Sequence, residues 1–203
     1  TYKGTYEFEG GDAKYEDVNH DGKIDLMDAV YIGDSSPELT GGFGTKIGYK
    51  QLSASFQFYY RLGFDIVNAI AMQTQGMVNR NNQSKAVLRR WRREGQDEEN
   101  MIPRAYMNHI CNNLGSNRYV EPGDFLRLNN ITIRYNLSDK LTQRLNLNTV
   151  NFSLNIRKIW TLTNYTGQDP EIWRNPSDPF FMGLDYARTP VPREFTLNVS
   201  LGF

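Results

Sequence analysis

Alternation of apolar and polar side chains constrains this chain more than any other feature. Between residues 52 and 64, Leu52, Ala54, Phe56, Phe58, Tyr60, Leu62 and Phe64 share one face, and Ser53, Ser55, Gln57, Tyr59, Arg61 and Gly63 the other. A period of two means a strand, because successive Cβ atoms of extended backbone point to opposite sides. The same period places Val150, Phe152, Leu154, Ile156, Trp160 and Leu162 opposite Asn151, Ser153, Asn155, Arg157 and Thr161, with Lys158 interrupting the apolar set. It returns where Phe195, Leu197, Val199, Leu201 and Phe203 oppose Thr196, Asn198, Ser200 and Gly202. Weaker alternation covers residues 2–8, 39–49 and 131–137. Just before Ile131 the phase slips, since Phe125, Leu126 and Leu128 do not share a face. That slip predicts a bulge or a rim position.

The connections separate a soluble sandwich from a membrane barrel. They run long at 10–38, short at 49–51, long at 65–124, moderate at 138–146 and long at 164–192. Bacterial outer-membrane barrels have short periplasmic turns, long extracellular loops, and strands of about 9–11 residues that are apolar outside and polar inside. A sandwich also alternates, but its connections need not keep this rhythm. Aromatics at Tyr49, Phe64, Tyr135 and Trp160 lie near strand ends, as interfacial girdles do. The expected fold is therefore all-β, an antiparallel transmembrane β-barrel segment with long extracellular loops at 10–38, 65–124 and 164–192. Its strands are too few to close a barrel, since small ones start at about eight strands and an open edge in lipid leaves N–H and C=O groups unpaired. The remaining strands are expected from a longer chain, and the opening residues, with neither an initiator Met nor a signal peptide, agree with that.

Other classes find little support. The 23 basic and 23 acidic residues cancel in short blocks, which gives no sign of a nucleic-acid partner. The lone Cys111 cannot form an internal disulfide, and no zinc-ligand spacing is present. No apolar run approaches the roughly 18 residues of a membrane helix. His20 and His109 sit in no nucleophile or zinc motif, and the acidic run Asp97, Glu98, Glu99 reads as a solvated loop face rather than a catalytic pair. An enzyme is not expected.

Several stretches carry a family resemblance. The segment from Gly11 to Asp25, with Ile32-Gly33, Pro37 and Gly41-Gly42-Phe43-Gly44 after it, resembles the part of SusC/RagA transporters that precedes a barrel strand. Tyr119-Val120-Glu121-Pro122-Gly123-Asp124-Phe125-Leu126-Arg127 is similar to that family's Val-Glu-Asp-Gly-Ser-Phe-Leu-Arg stretch, with Pro122-Gly123-Asp124 where Asp-Gly-Ser is usual. Tyr165-Thr166-Gly167-Gln168-Asp169-Pro170-Glu171 and the ending to Phe203 resemble its last loop and strand. The resemblance implies the C-terminal strands of a TonB-dependent barrel of about 22 strands with a plugged lumen. It also implies import of oligosaccharides or peptides, a SusD/RagB-like surface lipoprotein as lid, and a TonB complex acting through the plug, which this chain lacks. The alternative is a non-transporting outer-membrane barrel, an adhesin or assembly scaffold, stabilised by calcium.

Two sets of side chains are candidate sites. Asp17, Asn19, Asp21, Gly22, Lys23, Asp25 and Asp28 follow the Asp-x-Asn-x-Asp-Gly pattern of an EF-hand-like loop. Alternate residues would turn oxygens inward, Lys23 would offer its carbonyl, Gly22 permits the bend, and Asp28 closes where Glu is usual. Calcium is expected, with magnesium as the other hard cation; the competing reading is an Asp-Gly turn whose Asx side chains bond to the backbone. Trp91, among Arg89, Arg90, Arg92 and Arg93, is a candidate contact for the lid or a ligand, because Trp and Arg are enriched at interface hot spots. Trp173 is a candidate for stacking on a sugar ring.

Overall fold

The computed structural model describes residues 9–96, 101–171 and 182–203. β1 (Leu39–Tyr49) and β2 (Leu52–Leu62) form a hairpin. The long connection after it holds β3 (Asp65–Asn68), α1 (Ala69–Gln75) and β4 (Val120–Pro122). Then come β5 (Phe125–Asn136), α2 (Asp139–Arg144), β6 (Thr149–Thr163), β7 (Leu184–Asp185) and β8 (Glu194–Gly202). The expected strand at 2–8 lies outside the described residues.

β1, β2, β5, β6 and β8 make one sheet in that order, each pair antiparallel. Its register aligns the alternation of separate strands into rows. Tyr49, Leu52, Tyr135, Phe152 and Val199 stand side by side, as do Ile47, Ala54, Ile133, Leu154 and Leu197. On the opposite face the matching rows are Lys46, Ser55, Thr132, Asn155 and Thr196, and Gly44, Gln57, Asn130, Arg157 and Glu194. The apolar face stays open, with Ile47 at 62% and Leu197 at 68% exposure. A sandwich would bury that face against a second sheet; a barrel wall presents it to lipid. Among the described residues no helix is long and apolar enough to cross a membrane, which leaves crossing by strands untouched.

The phase slip in β5 is a bulge. Asn129 lies between Leu128 and Asn130, yet their partners in β2, Phe58 and Gln57, are consecutive. On the other side, two residues of β6, Lys158 and Ile159, stand between Arg157 and Trp160, the partners of Asn130 and Leu128. Lys158 adopts φ +53°, the left-handed backbone that a bulge uses. The extra residue lets Leu128 and Leu126 rejoin the apolar face beside Phe58 and Tyr60 above the slip, while Asn130 and Thr132 remain on the polar face below it.

Phe64, expected as a girdle aromatic, is instead buried. β2 stops at Leu62, and Gly63 at φ +73° turns the chain so that Phe64 leaves the apolar row. It packs edge-on against Phe125, with ring centroids 6.4 Å apart, in a small core with Ile66 and Tyr165. Tyr49, Tyr135 and Trp160 do stay exposed on the apolar face. The core sits at the end of the sheet where the long connections meet, and there β4, β3 and β7 form a second sheet. At the other end the connection 137–148 folds as α2, tied back by Leu137 N–H to Val150 O (2.8 Å) and Asn148 N–H to Gly202 O (2.7 Å).

Candidate functional site

The end of the sheet carrying the core is built by two segments that clasp each other, 119–127 and 161–171. Phe125 begins β5, so Arg127 falls two residues on, facing the polar side between Tyr59 and Thr161. Arg127 is only 3% exposed. Its Nε donates to Thr161 Oγ1 (2.9 Å), and its two terminal nitrogens donate to Glu171 and Asp169. Asp169 also accepts from Glu171 N–H (2.9 Å), which bends the acidic pair toward one guanidinium. A planar fork meeting two carboxylates is the geometry for which arginine is suited and lysine is not.

Glu121 makes the second clasp. Its carboxylate accepts from Thr166 N–H and Thr166 Oγ1, both at 2.8 Å, and from Asn68 Nδ2 at 2.8 Å. Asn68 uses its own carbonyl oxygen to cap α1 at Ala71 N–H (2.9 Å), so strand, helix and last loop share one residue. Asp124 accepts from Gly63 N–H (2.7 Å) through its side chain, and its carbonyl accepts from Thr163 Oγ1 (2.8 Å). Gly123 lies over Phe64, where a Cβ would meet the ring at 2.4 Å. The Pro122-Gly123-Asp124 variation thus sits where each residue has a structural role: Pro122 pairs with Asp65, and the other two hold the turn after β2. Tyr165 donates to the buried Asp185 (2.6 Å); burial, and then that carboxylate, push the phenol well above its usual range.

The first and middle loops are joined just as closely. Arg104 donates to Asp12 through Nε (2.6 Å) and Nη2 (3.2 Å), and Nη1 lies 2.6 Å from Glu9. Asn112 donates to Asp12 Oδ1 (2.9 Å) and accepts from Ala13 N–H (2.8 Å). Burial pushes the Asp12 carboxyl up, but the bonds from Arg104, Asn112 and the Glu9 N–H together outweigh it and hold the group below its usual range. Leu114 N–H donates to the Tyr15 hydroxyl (3.2 Å), whose pKa burial raises to about 12. Trp91 belongs to this junction: its half-buried ring lies on Gly11, where a Cβ would come within 2.3 Å. The neighbouring arginines turn to local backbone, Arg90 to Val87 O (3.3 Å) and Arg92 to Leu88 O (3.0 Å). Trp173 and the acidic run 97–99 lie outside the described residues.

In the loop 17–28 the side-chain oxygens accept from the loop's own backbone, the pattern of an Asp-Gly turn. Asp17 accepts from Asp21 N–H (3.2 Å) and Gly22 N–H (2.8 Å), Asn19 from Asp21 N–H (3.0 Å), and Asp21 from Lys23 N–H (2.8 Å). Asp28 reaches back to Val18 N–H (2.9 Å) and Asp25 N–H (2.8 Å), and Asp25 caps the turn Leu26–Asp28 through Met27 N–H (2.7 Å). Gly22 takes φ +79° at the bend. Hydrogen bonds from the Asp25, Val18 and Asn19 N–H groups hold the Asp28 carboxyl below its usual range. Oxygen donors of this kind suit a hard cation. Among the described residues, however, no three His, Cys, Asp or Glu side chains converge as a group that holds a metal. Seating one would require the carboxylates to turn from the N–H groups toward a common point.

Sequence reasoning missed the clasps. The available signal was a charged residue, Arg127, inside an otherwise apolar strand start, with an acidic pair at Asp169 and Glu171 on the next long connection.

No family model matches the chain. It is 27% identical over 198 residues to TonB-dependent receptor P3 of Formosa agariphila, covering 95% of this chain and 19% of that protein. TonB-dependent receptor P26 of the same organism is 30% identical over 199 residues, covering 95% and 20%. The chain therefore spans about a fifth of the length of these curated relatives. Among solved structures, the RagAB peptide importer in its closed-closed state superposes with a TM-score of 0.66 at 24% identity, over 83% of this chain and 18% of that one. Its open-open state gives 0.64 at 22% identity, over 83% and 17%.

Proposed function

We propose that this chain is a segment of a TonB-dependent transporter of the SusC/RagA type, forming the C-terminal wall and outer loops of an outer-membrane importer of peptides or oligosaccharides. The observation that carries the proposal is the sheet itself: one exposed apolar face, one polar face, and long connections cross-locked at one end. The apolar face meets lipid, the polar face lines the lumen, and the locked loops form the mouth. A SusD/RagB-like lipoprotein closes over that mouth, and a TonB complex acts through the plug carried by the rest of the protein. Nothing is done to the cargo chemically; closure of the lid commits it to the lumen, and force on the plug opens the way inward. Trp91 and its arginines lie on the mouth and contribute to the lid surface. The test uses the full-length protein in its native membrane. Affinity purification is expected to recover the lipoprotein, and deletion of the transporter is expected to abolish uptake of a labelled peptide or oligosaccharide pool. Recovery without a lipoprotein and unchanged uptake would support a scaffold barrel instead.

We also propose that the loop 17–28 takes calcium, with magnesium as the weaker alternative. Its support is the donor set together with the way Asp28 closes the loop onto Val18. The cation would stiffen the first outer loop at the mouth.

A further inference from the structure

The connection from β5 to β6, at the end of the sheet away from the clasps, carries a short amphipathic helix. α2 runs Asp-Lys-Leu-Thr-Gln-Arg, with Asp139 in its first turn and Arg144 in its last, each where the helix dipole favours it. Asn146 at φ +54° ends it. At about 100° per residue, Leu141 and Leu145 share one flank and Asp139 and Gln143 the opposite one. Lys140 and Arg144 form the strip opposite Thr142. Thr142 is buried, so that strip turns away from the protein, and Leu145 beside it is 59% exposed.

The helix sits against the apolar side of the sheet. Leu137 and Val150 face each other at the foot of β5 and β6, joined by Leu137 N–H to Val150 O (2.8 Å). Val150 lies two residues from Phe152 and so belongs to the apolar face. It is nevertheless only 4% exposed, whereas Leu201, its partner in β8, is 50% exposed. The cover comes from the connection, where α2 packs on β6 and Leu147 N–H donates to Thr142 O (3.0 Å). Val150 stands two residues beyond the girdle row of Tyr49, Tyr135 and Phe152, roughly 5 Å further along the membrane normal at a strand tilt of about 45°. That is the depth of lipid headgroups. The two connections at this end, 49–51 and 137–148, hold Lys50, Lys140 and Arg144 against the single acid Asp139. Lys50 lays its Nζ 5.2 Å from the centroid of the Tyr49 ring, while Lys140 and Arg144 form no ion pair among the described residues.

Resting on the barrel reading above, we propose that α2 is an interfacial anchor for anionic phospholipid in the periplasmic leaflet. Leu141 and Leu145 enter the acyl boundary, and Lys140 and Arg144 receive the phosphate. Amphipathic helices with basic residues beside an apolar flank lie at this level of a bilayer, and each basic residue there attracts anionic headgroups. Lys140 and Arg144 stand one turn apart, about 5–6 Å between Cβ atoms, so one phosphate can meet both. Continuity selects lipid as the occupant, because the leucine flank extends a sheet face that is already open to acyl chains.

The experiment uses the assembled full-length protein in phosphatidylcholine vesicles, with a fluorophore at Leu145→Cys. The quenchers are phosphatidylglycerol and phosphatidylcholine, each carrying a nitroxide near the head of one acyl chain. Parent protein without the added cysteine gives the background, and heat-modifiable migration in gels checks that each variant assembles. Phosphatidylglycerol is expected to reach half-maximal quenching at an about fivefold lower fraction than phosphatidylcholine, the effect of about one basic residue near an anionic surface. Lys140→Gln together with Arg144→Gln is expected to abolish that difference and to leave quenching by phosphatidylcholine in place. A label at Gln143→Cys, on the opposite flank, is expected to escape both quenchers. A label at Leu154→Cys, on the apolar face of β6, is the reference for a wall in lipid. An unquenched Leu145 label beside a quenched Leu154 label overturns the anchor and leaves the barrel reading standing; blue-shifted emission at Leu145 would then assign the flank to another part of the protein. An unquenched Leu154 label overturns both. Quenching at Leu145 that is equal for the two lipids, or a preference that survives the double substitution, overturns the headgroup site.

Discussion

Arg127 and Asp169, 42 residues apart in sequence, form a charge-assisted pair that draws the connection leaving β6 across the end of the sheet. Glu171 adds a second carboxylate to the same guanidinium.

Replacing Arg127 with Leu is expected to release that connection. Removing one partner of a buried pair leaves an uncompensated charge and costs about 3–5 kcal/mol. Most of this falls on Asp169, whose side chain is 12% exposed, because solvent screens the 35% exposed Glu171. Limited proteolysis of the assembled full-length protein should show new cleavage within 164–171, with Arg127→Lys intermediate because it keeps charge without the fork. A cleavage pattern like that of the parent protein would mean that the clasp does not hold the loop.

Deleting Asn129 should block assembly of the barrel. Without the extra residue the two halves of β5 no longer keep separate phases, and one half must present the wrong face. If the lower half turns, the polar row Asn130, Thr132 and Arg134 enters the lipid face, and Arg134, beside the girdle residue Tyr135, adds about 0–1 kcal/mol as a charge near the interface. Heat-modifiable migration reads the outcome directly, and Asn129→Ala, which keeps the residue count, is expected to assemble.

The junction of the first and middle loops should be insensitive to pH until strong acid. The Asp12 pKa is lowered on folding from 3.8, so its contribution is complete above that value and is lost as pH falls through the folded value. Protection factors for the Arg104 and Ala13 amides, which bond to Gly11 O and Asn112, report the junction. They are expected to stay level from neutral pH down to mildly acidic conditions and to fall below 3.8. Asp12→Asn should lower them at neutral pH; a fall in the parent protein near pH 6 would assign the control to another group.

In the folded full-length protein, Asp17→Ala together with Asp21→Ala should abolish calcium binding and increase proteolysis near Gly22. Chelation of the parent protein should produce the same new cleavage. Calcium content unaltered by the double substitution would show that this loop is not the site, and would leave its carboxylates as the backbone acceptors they already are.

Alternation by itself determined the five strands of the main sheet, because apolar surroundings on one side and polar ones on the other impose a period of two that needs no partner to be read. It located the bulge as well, since a phase slip at Leu128 is a property of one strand. The spacing of Asp17, Asn19, Asp21 and Gly22 left a cation loop and a local Asx turn as competing readings, and the bonds of the turn span at most a few residues. Only the tertiary structure decided where Phe64 goes, because one left-handed residue, Gly63, moves it from the lipid row into the core. The same holds for Arg127 with Asp169, Glu121 with Thr166, Asp12 with Arg104, and Trp91 on Gly11. These contacts join loops separated by tens of residues, and their pairing depends on how the strand ends bring those loops together, which no local pattern of side chains encodes.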